Sequence, residues 1–398
     1  MTAGAAAVAL LLSGCSGGGT PSPIFSKPGR SAPTGSTGTG PTTGSAPSAP
    51  GTASPSTDAT SSAAPATGTA KVTGTVATDL KSPWGLVRLP DGALLVGSRD
   101  SGHILRVDPD KKTADEIGIV PGVTHTQGGE DGLLGLATSP DFGSDHLIYA
   151  YFSTVSDNRI ARLLYDPSRA KGEQLGAPDT ILRGIPHGTI HNGGRIAFGP
   201  DGMLYAGTGE AGQRELAQDP SSLGGKILRM TPDGQPPKDN PTDGSLVYSS
   251  GHRDVQGLAW DAQGRLWASE FGENKWDELN LIEPGKNYGW PVVEGIAHRA
   301  GYVDPVAQWH PDVASPSGIA YAQGCIWMAT LRGERLWRVP LDGPKLAAPP
   351  QAFFASKYGR LRTVVAVDEG TLLLSTSNTD GRGTPKPGDD RILRVTIT

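Results

Sequence analysis

The chain has 398 residues and a formal net charge of −5 at pH 7. This acidic balance argues against a nucleic-acid partner and against a basic membrane-binding face. Its 56 glycines and 34 prolines fall into two patterns, a low-complexity N-terminal tract and regularly spaced turns afterwards, so the two parts of the chain are interpreted separately.

The N-terminal residues 1–15 contain a short apolar run that cannot span a bilayer. The run ends in Leu12-Ser13-Gly14-Cys15, which resembles the lipobox of bacterial lipoproteins, whose cysteine is lipidated and becomes the mature N-terminus. The sequence therefore predicts a lipoprotein signal peptide over residues 1–15. A lipid anchor on Cys15 would hold the protein on the outer face of the cytoplasmic membrane, in an extracytoplasmic location.

Residues 16–69 consist mainly of Ser, Thr, Gly, Pro and Ala, with few charges and very few large apolar side chains. Such a segment cannot bury enough apolar surface to offset the entropy lost on ordering. It is predicted to be a disordered linker between the anchor and the folded domain.

Residues 70–398 repeat one pattern six times: an apolar strand, a turn with Asp or Gly, a second strand, and a third strand ending in an apolar and basic run. The copies begin at Trp84, Leu133, Arg195, Gly257, Gly318 and Thr363. Repeats of this kind predict an all-β fold, a six-bladed β-propeller of four-stranded antiparallel blades. A β-sandwich would not explain the near-constant spacing. Because loops on one face of a propeller converge, we expect a ligand site there.

Several of these loops carry chemically capable side chains. His191 is a candidate general base because imidazole titrates near working pH and glycines follow it in the loop; a histidine bonded only to a carbonyl is the alternative. Four arginines suit a polyanionic ligand, although each alone could be an ordinary surface residue. They are Arg253, Arg332, Arg360 and Arg362. The acidic loop 270–278 offers the oxygen donors that Ca2+ prefers, although such loops are usually only solvated.

The motifs together make the chain similar to the soluble PQQ-dependent glucose and sorbosone (aldose sugar) dehydrogenases, where PQQ is pyrroloquinoline quinone. The resemblance spans nearly the whole repeat region. It rests on Glu130-Asp-Gly-Leu-Leu-Gly-Leu-Ala137, His191-x-x-Gly-Arg-Ile196, Gly251-His-Arg-Asp-Val-Gln-Gly-Leu258, Glu278-Leu-Asn-Leu-Ile282 with Asn287-Tyr-Gly-Trp-Pro291, and Arg360-Leu-Arg362. Members of that family are six-bladed propellers.

The resemblance implies a role for each matched residue. His191 would remove the proton from the anomeric hydroxyl of a sugar, with Glu130 in the substrate pocket. The cofactor-facing residues would be Arg253, Asp254 and Gln256, with Arg332, Arg360 and Arg362 holding the PQQ carboxylates. Calcium would be bound by the carbonyls of Gly272 and Glu273, and a second, structural calcium by Glu278 and the Tyr288 carbonyl.

Four departures from the glucose-oxidising members affect the predicted chemistry. Ile190 replaces an Asp that supports the catalytic histidine, so His191 is expected to lack a carboxylate partner. Glu130 replaces a Gln of the substrate pocket, and Asp254 replaces an Asn beside the quinone; Glu210 stands at the position of an Asp. Added carboxylates disfavour a reduced, anionic quinone unless they are protonated or paired.

The resulting hypothesis is a PQQ- and Ca2+-dependent dehydrogenase that oxidises an aldose at C1 to the lactone and passes electrons to an external acceptor. The alternative is a non-catalytic propeller that binds a glycan or a protein partner through the same face. Lactone hydrolysis by a metal-bound water is a third class, but the sequence lacks a distinctive cluster of ligands for it.

Overall fold

The structure, a computed structural model, describes residues 67–398. The predicted signal peptide over 1–15, the lipidation site Cys15, and all but the last three residues of the predicted linker lie outside the described residues. The described chain forms six antiparallel sheets arranged as a six-bladed propeller, which confirms the predicted fold. Its first strand is β1 (Ala70–Ala77).

The first three blades are four-stranded sheets whose strands pair in chain order. Blade 1 contains β2 (Pro83–Arg88), β3 (Leu94–Ser98), β4 (His103–Asp108) and β5 (Thr113–Ile119). Blade 2 contains β6 (Leu133–Thr138), β7 (Leu147–Ser153), β8 (Asn158–Leu164) and β9 (Asp179–Ile185). Blade 3 contains β10 (Gly193–Phe198), β11 (Leu204–Thr208), β12 (Lys226–Met230) and β13 (Val247–Ser250).

Blade 4 follows the same plan, whereas blades 5 and 6 vary it. Blade 4 contains β14 (Val255–Trp260), β15 (Leu266–Glu270), β16 (Asp277–Ile282) and β17 (Ala307–Trp309). Blade 5 contains β18 (Pro316–Ala322), β19 (Cys325–Thr330), β20 (Arg335–Asp342), β21 (Lys345–Leu346) and β22 (Gln351–Phe353), the last two both pairing with β20. Blade 6 contains β23 (Leu361–Asp368), β24 (Thr371–Thr376), β25 (Ile392–Ile397) and β1. Within residues 67–398 the helical turns are α1 (Phe142–Asp145) and two 3-10 turns, Arg214–Ala217 and Pro311–Val313.

Blade 6 closes the ring by joining the two ends of the described chain. Strand β1 lies antiparallel to β25, with Ala70 opposite Ile397 and Lys71 opposite Thr396. The outermost strand of the last blade thus comes from the start of the domain, and its backbone bonds tie blade 6 to the segment that leads into blade 1. The six internal repeats did not predict that β1 completes blade 6, since β1 belongs to none of them.

The innermost strand of each blade packs closely against its neighbours because small and apolar residues alternate along it. In β6, a Cβ added at Gly135 would lie 2.1 Å from the carbonyl oxygen of Gly194 in blade 3, so only glycine allows this approach. The apolar side chains between blades are almost fully buried, with Trp267 and Trp327 among the largest. Within residues 67–398 no helix has the length and apolar character needed to cross a membrane.

One face of the propeller collects the loops that matter for function. In every blade the start of the first strand pairs with the end of the second, as Pro83 does with Ser98 and Leu361 with Thr376. The loop entering a blade and the loop leaving its second strand therefore emerge together. Two loops from each blade meet around the central axis on this face.

Candidate active site

The polar residues of this face come from two sets of loops. The first set, at the entry to a blade, supplies Glu130, His191, Arg253 and Arg360. The second set, directly after the second strand, supplies Arg99, Glu210, Gly272, Arg332 and Asp380. The equivalent position of each loop in its repeat places these residues on one face of the propeller.

A cationic cavity lies at the centre of this face. Of the described residues, five arginines and two carboxylates line it, so positive charge is in excess. Its lining comprises Arg99, Arg332, Arg360, Arg362, Arg382, Glu130, Asp380, Gln256, Phe271, Ser315 and Leu331. Three of the four predicted arginines are therefore brought together, and the arrangement suits an anion with several carboxylates.

Asp380 organises the deepest of these arginines. Its Oδ2 accepts from Arg360 Nε at 3.0 Å and lies 3.3 Å from Arg362 Nη2. Burial opposes ionisation of Asp380, but Arg362 and Arg360 hold its pKa below the ordinary value. Burial lowers the pKa of Arg362 to about 10, so the guanidinium remains charged at neutral pH. Asp380 thus fixes two guanidinium groups that would otherwise repel each other.

The remaining lining arginines are held at the edges of the cavity. Arg99 Nε contacts Asp100 at 2.6 Å, and its Nη2 donates to the Asp380 carbonyl at 3.1 Å. Arg332 is the most exposed, and it pairs with Asp312 at 2.5 Å. Side chains this exposed reorient at little cost, so Arg332 can turn towards a bound anion.

Arg253 lies beside the cavity, behind the lining residue Phe271. Its Nη1 donates to the Gly272 carbonyl at 2.8 Å, and its guanidinium lies 5.3 Å from the centre of the Trp290 ring. Arg214 contacts the same ring at 4.6 Å and pairs with Glu273. Arg253 Nε and Trp290 Nε1 are buried, and neither donates to any described residue. Arg253 and Trp290 are thus neighbouring buried donors without acceptors, and Arg253 contacts the lining residue Phe271, which indicates a place for a ligand.

His191 is held in a strained backbone conformation by its neighbours. Its φ of 53° lies in the left-handed region that residues other than glycine adopt at a cost. The His191 N–H donates to Glu130 Oε2 at 2.8 Å, and its carbonyl accepts from Ala211 N–H at 2.9 Å. A Cβ added at Gly209 would lie 1.9 Å from the same carbonyl. The loop therefore fixes the position of the imidazole from both sides.

The expectation that His191 lacks a carboxylate partner was wrong. Its Nδ1 lies 2.7 Å from Glu210 Oε1, and the Glu210 side chain is almost fully buried. Ile190, at the position where the resemblance placed the supporting Asp, is partly exposed instead. A carboxylate on Nδ1 fixes the tautomer and leaves Nε2 for a substrate hydroxyl. Glu210 reaches His191 because its loop follows β11, next to the entry loop of the same blade.

Glu130 is an ion-pair partner as well as a backbone acceptor. Its Oε1 binds Arg382 Nη1, while its Oε2 receives the His191 N–H. Burial by itself would raise the pKa of Glu130, but Arg382 and the His191 N–H outweigh burial and lower it. Glu130 is thus an anion neutralised by Arg382, which answers the concern that an extra carboxylate would oppose reduction of a quinone.

Asp254 lies below the cavity and orients Gln256. Its Oδ1 accepts from Gly193 N–H at 2.7 Å and its Oδ2 accepts from Gln256 Nε2 at 2.8 Å. The Gln256 Oε1 then accepts from Arg362 Nη1 at 3.0 Å. Burial, and next the charge of Glu130, raise the pKa of Asp254 to about 6. Asp254 therefore positions a lining residue and does not itself line the cavity.

A second polar cluster is buried in blade 4, near the predicted structural calcium site. Glu270 and Glu278 stand directly opposite each other on β15 and β16, and Asn280 Nδ2 donates to both. His252 Nδ1 contacts Glu270 at 3.0 Å, and its ring stacks on Tyr288 at 4.7 Å. Burial raises the pKa of Glu270 to about 7, and burial together with the charge of Glu270 raises the pKa of Glu278 well above its ordinary value. Two buried carboxylates in direct opposition favour a shared proton or a cation.

Comparison with known proteins identifies the family. The sequence model of the Glucose / Sorbosone dehydrogenase family matches residues 80–393. The chain belongs to this family. The matches support an oxidoreductase and leave the substrate open.

Two solved structures and two curated relatives show how close the similarity is. The PQQ-bound form of aldose sugar dehydrogenase from Streptomyces coelicolor is 64% identical, with a TM-score of 0.83 over 84% of this chain and 100% of that chain. A putative oxidoreductase (glucose dehydrogenase) from Thermus thermophilus is 42% identical, with a TM-score of 0.74 over 82% of this chain and all of the other. Aldose sugar dehydrogenase YliI of Escherichia coli is 30% identical over 80% of this chain and 92% of its own length. Quinoprotein glucose dehydrogenase B of Acinetobacter calcoaceticus is 34% identical over 57% of this chain. The matched region covers 54% of the length of that relative.

The cavity of this Glucose / Sorbosone dehydrogenase family member fits PQQ, a planar quinone with three carboxylates. The excess of guanidinium groups and the two buried donors without acceptors, Arg253 Nε and Trp290 Nε1, are the features that such an anion would satisfy. Arg332, Arg360 and Arg362 would hold its carboxylates.

The two predicted calcium sites differ in how well they fit an ion. At the first, the Gly272 carbonyl is already bonded to Arg253, so the donor set there does not fit an ion in this arrangement. At the second, Asn280 Oδ1 is buried and accepts no bond from the described residues, next to the Glu270–Glu278 pair, which fits a cation. In residues 67–398 no three side chains of the types His, Cys, Asp and Glu form a metal cluster. Backbone carbonyls would have to complete either site.

Sequence reasoning missed several residues of the site. It did not select Arg99, Asp380 or Arg382, and it did not connect Glu210 with His191. A signal was present, because each of the first three and Glu210 lies just after the second strand of its repeat. Aligning all the repeats at that position would have gathered them, whereas only Glu210, Gly272, Glu273 and Arg332 were selected there.

Proposed function

We propose that this protein is a PQQ- and calcium-dependent dehydrogenase that oxidises an aldose at C1 to the lactone and passes electrons to an external acceptor. The proposal is carried by one observation, the arginine-rich cavity whose lining residue Glu130 also holds the backbone of His191, the partner of Glu210. A propeller that only bound a glycan or a protein would not require a buried histidine–carboxylate pair next to a cluster of guanidinium groups. The PQQ-bound relative from Streptomyces coelicolor supports the same assignment.

The geometry supports a specific division of roles. PQQ, when bound, would accept the hydride from C1 of the sugar. His191 Nε2 would take the proton of the anomeric hydroxyl, since Nδ1 is engaged by Glu210. Glu210 would stabilise the imidazolium that forms and keep the ring in place. Glu130 would hold the His191 backbone, and Arg382 would keep Glu130 from adding net negative charge to the pocket.

The arginines would bind and orient the cofactor. Arg360 and Arg362 are fixed by Asp380 before any ligand arrives, which lowers the entropy lost on binding. Arg332 at the rim would close onto a carboxylate. A calcium ion at the Gly272 and Glu273 carbonyls would require Arg253 to release Gly272, whereas an ion at Glu278 and the Tyr288 carbonyl would join the buried carboxylate pair.

The first experiment is a titration of the calcium-loaded protein with PQQ, followed by absorbance, for wild type, Arg360→Ala and His191→Ala. We expect tight binding by wild type, a loss of affinity in Arg360→Ala, and little change in His191→Ala. Dye reduction is then measured with a panel of aldoses. His191→Ala should bind PQQ but reduce no dye, whereas the PQQ-loaded wild type should reduce it. Absence of PQQ binding by wild type would overturn the proposal and favour a non-catalytic propeller.

The lipobox at residues 12–15 supports a further proposal, that Cys15 anchors the enzyme on the outer face of the cytoplasmic membrane. Metabolic labelling with palmitate should mark the wild-type protein and not Cys15→Ser. Equal labelling of both would refute the anchor.

A further inference from the structure

Arg195 carries a buried charge that no carboxylate of the described chain neutralises. It lies on β10, the innermost strand of blade 3, and its side chain is almost fully buried. Its Nε donates to the Gln256 carbonyl at 2.8 Å, its Nη2 donates to Thr363 Oγ1 at 3.1 Å, and its guanidinium lies 4.3 Å from the centre of the Trp84 ring. These partners are neutral groups.

The charge of Arg195 is therefore expensive to bury. Burial, and next the nearby Arg362, lower the pKa of Arg195 to about 9, which still leaves the guanidinium protonated at neutral pH. A buried ion without a counter-ion costs several kcal/mol even after relaxation. Hydrogen bonds to a carbonyl and a hydroxyl, together with the Trp84 ring, offset only part of that cost.

Arg195 sits one layer below the cofactor cavity. It lines the central channel formed by the innermost strands and is not among the residues of the arginine-rich cavity. Arg362 connects the two layers, because it lines the cavity and also lies 5.7 Å from the Trp84 ring. Gln256 connects them as well, since its carbonyl accepts from Arg195 while its Oε1 accepts from Arg362.

We propose that Arg195 is a positioning residue for the cofactor, which acts through Gln256 and Arg362 and whose uncompensated positive charge is balanced by the carboxylates of the bound quinone. The inference rests on the proposed function, because the anion that balances Arg195 is PQQ. The arrangement explains why a guanidinium without an ionic partner lies under a cavity that already has an excess of arginines. The anion lowers the cost of the buried charge, so Arg195 favours the occupied cavity over the empty one.

The test compares PQQ affinity with the stability of the unloaded protein. Arg195→Met removes the charge and keeps much of the volume, Arg195→Gln keeps a hydrogen-bond donor without the charge, and Arg195→Lys keeps the charge. PQQ is titrated by absorbance, and melting temperatures are measured with and without PQQ. We expect Arg195→Met and Arg195→Gln to weaken PQQ binding about tenfold and to reduce the PQQ-induced rise in melting temperature. Arg195→Lys should recover part of the PQQ affinity and part of that rise.

Arg229→Met is the matched control. Arg229 is a buried guanidinium of the same blade, paired with Asp201 and Asp239 and remote from the cavity lining. Its loss should lower the melting temperature of both the loaded and the unloaded protein while leaving the PQQ affinity within about twofold, a change worth only about 0.4 kcal/mol.

Three results would overturn the inference, and they are distinguishable from one another. Unchanged PQQ affinity in Arg195→Met and Arg195→Gln, with wild type binding PQQ, would make Arg195 purely structural. If Arg195→Lys bound PQQ as weakly as Arg195→Gln, the charge of Arg195 would be excluded as the cause of tight PQQ binding. Absence of PQQ binding by wild type would remove the proposed function and this inference with it. If Arg195→Met does not fold, the comparison of Gln with Lys still decides between charge and structure.

Discussion

Replacement of Asp254 by Asn tests whether the carboxyl below His191 is a costly buried anion at neutral pH. Asp254 is fully buried and contacts only neutral donors, the Gly193 N–H and the Gln256 amide. Burial raises its pKa from 3.8 to about 6, with Glu130 adding to the effect. A shift of about two units corresponds to about 3 kcal/mol between the protonated and the ionised forms.

The direction of the pH dependence follows from the sign of this shift. Because the pKa of Asp254 is higher in the folded than in the unfolded protein, the folded state binds the proton more tightly. The resulting stabilisation is complete below the unfolded pKa and is lost as the pH rises through about 6. Asn has no such dependence, but its amide leaves Gln256 Nε2 without an acceptor, which costs about 1–3 kcal/mol at every pH.

Urea unfolding of the unloaded protein between pH 4 and pH 8 measures the effect. Asp254→Asn should be less stable than wild type at pH 4, and the difference should move by about 2 kcal/mol in favour of the variant by pH 8. Stability curves that stay parallel over this range would refute the reasoning. Asp380→Asn is a control of opposite sign: Arg362 and Arg360 lower the pKa of Asp380, so its contribution to stability is present at neutral pH and lost on acidification.

Three further outcomes are expected. Glu210→Ala should lower kcat for aldose oxidation by about 10²-fold or more, since the imidazole loses its orienting carboxylate, while PQQ affinity stays unchanged; equal kcat would show that Glu210 is dispensable. Gly209→Ala should lower both the melting temperature and kcat, because the new methyl group meets the His191 carbonyl; an unaffected variant would mean that the loop relaxes freely. Removal of calcium with EGTA should lower the melting temperature of wild type but not of Glu278→Gln, because the variant lacks the carboxylate of the proposed calcium site in blade 4. An equal fall in melting temperature in both proteins would place the ion at another site.

The repeat pattern was sufficient to predict the six blades. Strand positions in a propeller are determined locally, by apolar alternation and by turns such as the Asp261–Gly264 turn, and each blade repeats the same solution. The predicted third strand of each of the first three repeats forms as β4, β8 and β12. Position in the repeat also placed Arg332, Arg360 and Arg362 around one opening.

The pairing of side chains from separate loops depended on the tertiary structure. The sequence has a hydrophobic residue, Ile190, beside His191, and therefore predicted an imidazole without a carboxylate partner. The carboxylate comes instead from Glu210, 19 residues away. It reaches His191 because the entry loop of blade 3 and the loop after β11 emerge side by side. The Glu130–Arg382 contact joins residues 252 positions apart. Neither distance is encoded in a local pattern.

Sequence alone determined the fold, the family resemblance and the face on which the site lies, because these follow from short-range periodicity and from motifs that are contiguous in the chain. Tertiary structure decided which charges are neutralised. Asp380 pairs with Arg360 and Arg362, and Arg382 pairs with Glu130, whereas Arg195 contacts no carboxylate of the described chain. The balance of charge in the cavity depends on side chains from loops that are far apart in the chain, and the folded propeller brings these loops within interaction distance.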